Sequence, residues 1–179
     1  AIAFIGMAII LAGNVITLEE FINSAELDII LFIVGMMIMV GVLKDLGLFS
    51  WIIQSIIKMK RMTGYLFIVI NVFMSAIMSC LVGEVTSIVF MLALIFQVCD
   101  TLKVSPTPHV FISVIATNIG SSGTMLGNPV GILIGTKAGF TFIDFMITAF
   151  PIMLISLAGA LAVIIIWYKK EIRLFTERL

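Results

Sequence analysis

Between Met62 and Cys99 the chain runs for 38 residues with a single charged side chain, Glu84. That is far longer than the roughly 20 residues one helical crossing needs, so the segment must reverse direction inside or beside a bilayer. A second long stretch, Val104 to Thr136, carries no charge apart from His109. Composition agrees: 62% of residues are hydrophobic and 11% charged, against about 45–50% and about 25% in a soluble domain. The apolar excess must face lipid or other membrane helices. The expected fold class is therefore all-α, a polytopic (multi-pass) membrane protein with the lipid bilayer as its first partner. Ten basic residues balance ten acidic ones, so the positive field that nucleic-acid binding requires is missing. Cys80 and Cys99 lie inside apolar runs without a second pair at metal spacing, and read as packing residues.

Four segments follow from the pattern. Residues 1–61 hold scaffold helices and an amphipathic stretch, Leu46 to Ile57, suited to the membrane interface. Residues 62–99 form a hairpin, 100–136 an interrupted helix, and 137–179 a final transmembrane helix with a tail. Trp167-Tyr168 before Lys169-Lys170 is an aromatic anchor. The connection from Ile16 to Asp28 contains Glu19, Glu20, Glu26 and Asp28 and no base. Lys44, Lys58, Lys60, Arg61, Lys103, Lys169, Lys170, Arg173 and Arg178 fall on the opposite side, leaving Lys137 alone. The positive-inside rule then puts the C-terminus in the cytoplasm, in what reads as a prokaryotic cell membrane. Ala1 stands where a start Met is absent, and no cleavage signal follows; a piece of a longer polypeptide is expected.

Two interruptions carry the chemistry. In the first, a turn at Gly83-Glu84-Val85-Thr86-Ser87 between apolar arms is either the tip of a re-entrant hairpin or an outer loop between two full spans. A tip at membrane depth is tolerated only where protein or water satisfies its backbone groups. The second is the run from Ala116 to Gly131, where Gly, Ser, Thr, Asn and Pro concentrate between helical segments Pro108–Asn118 and Val130–Thr136. It reads either as a discontinuous helix, with Pro129 in the first turn of the second half, or as a continuous helix presenting Gly123, Gly127, Gly131 and Gly135 as a small-residue packing face. Free N–H groups at a half-helix start attract anions, and freed carbonyls coordinate Na⁺.

The segment Val82–Ser87 and the run Thr117–Gly131, followed by Ile132-Leu133-Ile134-Gly135, resemble the arsenite/citrate permease-like ion transporters. That group takes in the D-type sodium/proton antiporters and the divalent anion/sodium symporters. The resemblance covers nearly the whole chain and implies one inverted repeat: scaffold helices, a re-entrant hairpin and a discontinuous helix, with the transport site where tip meets break. It further implies that this chain is the N-terminal half and that a C-terminal half is a missing partner, with a homodimer as another candidate partner. The family's tip has aspartate-asparagine-valine-threonine-threonine, and its break ends in aspartate-proline-proline-asparagine. Here those positions are Gly83-Glu84-Val85-Thr86-Ser87 and Asn128-Pro129-Val130-Gly131. The carboxylate has in effect moved from break to tip.

Carried over residue by residue, the substrate- and ion-binding candidates are Glu84, Val85, Thr86, Ser87, Thr117, Asn118, Gly120, Thr124, Gly127, Asn128 and Pro129. Glu84 is the expected carrier of H⁺ or Na⁺, because an intramembrane carboxylate costs about 2.5–3.5 kcal/mol and is seldom kept without a role; a loop or tip-anchoring glutamate is the plainer alternative. Asn118 and the backbone near Gly120 are the candidate Na⁺ ligands, and hydrogen bonds across helices are their alternative. His109 reads as an interfacial residue at a helix start. No catalytic group, resident metal or cofactor is expected, since an enzyme needs a nucleophile–base pair or facing acids. The function read from these features is half of a secondary active transporter working by alternating access, moving a small inorganic or carboxylate anion, or Na⁺ and H⁺. The alternative is a membrane structural subunit or a fragment inert without its second half.

Overall fold

A computed structural model describes residues 2–13, 15–24, 27–57 and 63–178. Every regular element among them is a helix, in ten segments. They are α1 (Ile2–Ala12), α2 (Leu18–Ser24), α3 (Leu27–Asp45), α4 (Leu48–Ile57), α5 (Gly64–Val82), α6 (Glu84–Leu102), α7 (Thr107–Ser121), α8 (Pro129–Ala138), α9 (Phe142–Trp167) and α10 (Lys169–Arg178). Among them α5, α6 and α9 are long and apolar enough to cross a membrane. The chain is thus an all-α, multi-pass integral membrane protein.

Two compact units divide the chain, residues 1–37 and 38–179. In the first, α1 exposes Ile2, Phe4, Ile5 and Ile9, and α2 lies within the acidic connection, which had been read as a loop. Thr17 starts it with a reciprocal cap: its hydroxyl accepts the Glu20 N–H at 3.2 Å and the Glu20 carboxylate accepts the Thr17 N–H at 2.8 Å. These bonds hold the Glu20 carboxyl below its ordinary range.

In the second unit the core forms around α5. Its turns Ile68, Val72, Ala76 and Cys80 meet Ile112 and Ala116 of α7, Met153, Leu157 and Ile164 of α9, and Ile172 of α10. On the other side, Met78 packs with Phe90, Met91 and Leu94 of α6 and with Val40. The remaining surface of α6 and α9 keeps Val85, Val89, Phe96, Ile147, Ile155 and Ile166 exposed, as lipid-facing positions require.

The reversal after α5 is tighter than the sequence implied. Gly83 alone forms the corner, at φ 87° and ψ 158°, a backbone region open to glycine and costly for other residues. Glu84 to Ser87, expected as turn, already form the first turn of α6. The second arm also continues past Cys99, the expected end of the hairpin, to Leu102, and has 19 residues. At the C-terminal end the expected tail is the helix α10, separated from α9 by Tyr168.

Candidate functional site at the hairpin tip and helix break

Helices α5 and α7 run parallel, with paired residues 38 to 42 positions apart, and a buried polar seam fixes that register. The Asn71 amide donates to the His109 carbonyl at 3.1 Å. Its Oδ1 accepts from both the Ser113 and Ser75 hydroxyls, which also bond each other. From the returning arm, the Ser87 hydroxyl donates to the Ser75 carbonyl at 2.9 Å. All of these side chains are buried, so each hydrogen bond replaces one that water can no longer supply. One turn higher stand Ser79 and Thr117, also buried, whose hydroxyls have no protein partner. Beyond them the backbones close up. A Cβ on Gly120 would stand 2.4 Å from Ala76 Cα, so only glycine permits this approach.

Helix α7 stops at Ser121 and α8 starts at Pro129, and residues 122–128 are not helical. The continuous-helix alternative therefore fails, because Gly123 and Gly127 lie in the break and share no helical face with Gly131 and Gly135. Asn128 organises the restart: its Oδ1 caps the Gly131 N–H at 2.8 Å and its amide donates to the Ser121 carbonyl at 3.1 Å. Pro129 follows at the first helical position, where no N–H is needed.

Tip and break are bonded together. The Glu84 N–H donates to the Gly127 carbonyl at 2.9 Å, the Thr124 hydroxyl to the Cys80 carbonyl at 2.6 Å, and the Cys80 thiol to the Gly120 carbonyl at 3.0 Å. Helix α9 gives their depth. A Cβ on Gly123 would stand 2.9 Å from Cε of Met153 and 3.3 Å from Sγ of Cys80. At 1.5 Å per residue, Met153 lies about 16 Å from the start of α9 and about 21 Å from its end. The junction is therefore partway along the longest apolar helix.

The sequence-derived candidates separate accordingly. Glu84 is half-buried at the N-terminus of α6, where the helix dipole favours its negative charge. Val85 is exposed and Thr86 half-buried beside it. The Ser87 hydroxyl is buried and donates to the Ser75 carbonyl. Thr117 is buried with an unpartnered hydroxyl. Asn118 faces outward, with its amide on the Val114 carbonyl. Gly120 and Gly127 act as packing and turn residues, since a Cβ on Gly127 would meet the Ser121 carbonyl at 2.1 Å. Thr124 and Asn128 tie the junction together. His109, expected at the interface, is buried against Phe67 and Phe175 at ring separations of 5.2 and 5.0 Å. Sequence reasoning missed Ser79 and Asn71; the i, i+4, i+8 spacing of Asn71, Ser75 and Ser79 in an apolar helix was the available signal.

The fold is that of a multi-pass helical membrane protein with a broken helix and a tight helical hairpin. The citrate transporter family model matches residues 1–178, and the chain belongs to that family. It is a transporter family, not an enzyme family. An uncharacterised transporter of Mycobacterium tuberculosis is 33% identical over 91% of this chain. A 46 kDa membrane protein of Mycobacterium leprae is 31% identical over 86% of it, and the P protein of Mus musculus is 26% identical over 77%. The chain spans 39% of the length of the first of these relatives and 17% of the last. No solved structure matches it.

Proposed function

We propose that this chain forms one repeat of a secondary active transporter, whose substrate site lies where the hairpin tip meets the helix break. The observation that carries the reading is the bonded junction of Glu84 and Gly127, set partway along α9. Irregular backbone at membrane depth is a costly arrangement that transporters use to expose helix ends to substrate. The first-turn N–H groups of a helix lack intrahelical acceptors. The Glu84 N–H is taken by Gly127, which leaves those of Val85 and Thr86 as donors to an anion. The family's name favours a carboxylate such as citrate over an inorganic anion. Glu84 is the carrier of the coupling H⁺ or Na⁺. The buried, unpartnered hydroxyls of Ser79 and Thr117 lie nearer the seam than Asn118 and are additional oxygen ligands for a cation. The hairpin is re-entrant in this reading, the partner is the second repeat, and the bases near α10 face the cytoplasm.

The test is flux in proteoliposomes containing the full-length polypeptide, with H⁺ and Na⁺ gradients imposed separately and citrate as first substrate. Glu84→Gln removes the charge with little change in shape. Gradient-driven uptake should fall to background while yield and elution on gel filtration match wild type. Wild-type coupled uptake in that variant would exclude Glu84 as the carrier.

A further inference from the structure

At the end of the second unit opposite the tip, α10 is docked onto the roots of α5 and α7. Phe175 stacks on Phe67 of α5 with ring centroids 4.6 Å apart and planes 12° from parallel, and its edge meets His109 of α7. Ile172 and Phe175 are both buried, at 0% and 1% exposure. The Gly64 N–H, the first of α5, donates to the Thr176 hydroxyl at 2.9 Å. There is no room for a side chain at Gly64, because a Cβ would stand 2.2 Å from the Ile172 carbonyl. The Ile172 and Phe175 side chains are thus spent on the bundle, while Lys169, Lys170, Glu171, Arg173, Leu174 and Glu177 remain outside.

This dock connects to the tip through named bonds. His109, held by Phe175 and Phe67, presents its carbonyl to Asn71, and Asn71 bonds Ser75 and Ser113. Ser75 receives Ser87 from the other hairpin arm. Further along α5, beyond Ser79, Cys80 bonds the break through both its thiol and its carbonyl. Cys80 is 16 residues above Gly64, about 24 Å along α5. Between α9 and α10 a single residue, Tyr168, leaves helical geometry, at φ −96° and ψ 22°.

We propose that α10 is a latch for the hairpin: docked, it fixes the register of α5 against α7 and so keeps tip and break bonded; released, it frees that junction. Cys80 is a built-in reporter, since its thiol is buried and bonded only while the junction is closed. Its protection does not depend on transport, so this proposal and the transport reading fail separately.

The experiment is alkylation of Cys80 by N-ethylmaleimide in membranes containing the full-length polypeptide, with Cys99→Ser and all other cysteines replaced. Phe175→Ala removes the stacked ring. The labelling rate should rise about tenfold or more, as expected when a local opening is made easier, and Phe175→Leu should give a smaller rise. A cysteine at Ile172, in a parallel series lacking Cys80, reads release of α10 itself. Reactive Ile172→Cys with Cys80 still protected would overturn the latch, leaving α10 a local cover. If Phe175→Ala does not fold, Thr176→Val removes the acceptor for Gly64, together with the hydroxyl's own bond to the Ile172 carbonyl, while leaving the stacked ring, and should raise Cys80 labelling modestly. An unchanged rate in that variant, with Ile172→Cys newly reactive, also overturns the proposal.

Discussion

Asn71 shows how one buried amide holds several elements in place. Its two ends reach the His109 carbonyl and the hydroxyls of Ser75 and Ser113, with no water available to substitute. Asn71→Leu keeps a similar volume but leaves those groups unpaired, at about 1–3 kcal/mol for each buried polar group left unsatisfied. The purified protein should unfold several degrees lower in a thermal scan; an unchanged midpoint would mean that the seam contributes no net stability. Glu84 is the opposite kind of residue. Its backbone is tied down through Gly127 while its carboxyl is only half covered. A group held in place yet still reachable is what an exchangeable ion requires, and that is why Glu84→Gln tests function and Asn71→Leu tests stability.

Among the elements, the parallel pair α5 and α7 decides where the site forms. Two helices in parallel need a close approach to share polar groups, and Gly120 against Ala76 provides it. Gly120→Val would force the backbones apart and cost about 1–3 kcal/mol by overpacking. Because the displaced turn also holds the Cys80 and Thr124 bonds, uptake should fall more steeply than the unfolding temperature. Flux and thermal scans on the same preparation compare the two losses; full uptake with a lowered midpoint would separate the junction from transport. Gly83 matters for a different reason: a one-residue corner leaves each arm 19 residues long. Arm length alone is therefore compatible with full crossings, and depth has to be read from neighbouring helices.

For the whole molecule, hairpin and paired spans differ in the depth of the tip. Helix α9 extends about 16 Å beyond Met153, which lies against Gly123 of the break, and the break is bonded to the tip. Val85 is the exposed residue there, at 75%. A cysteine at Val85, in a background with Cys80 and Cys99 changed to Ser, should react with an impermeant reagent only slowly, and substrate should change the rate. Rapid labelling from outside, indifferent to substrate, would place the tip in an outer loop.

The membrane class, the reversal near Gly83 and the helix break were legible in the residues because each depends on local composition: apolar runs force helices, and Gly83, Asn128 and Pro129 interrupt them. The motifs also brought tip and break together as a pair. The sequence could not distribute roles among the candidates. Ser87, Gly120, Thr124 and Asn128, carried over from the resemblance as ligands, also bond or pack against neighbouring segments of the fold, and such contacts depend on what packs opposite. The same holds for His109, which is polar by type and enclosed by Phe67 and Phe175 in the fold. Local sequence therefore determined where the chain bends, and tertiary structure decided which polar groups are satisfied there. A hydrogen bond needs two partners, and a chain read in one dimension shows only one of them.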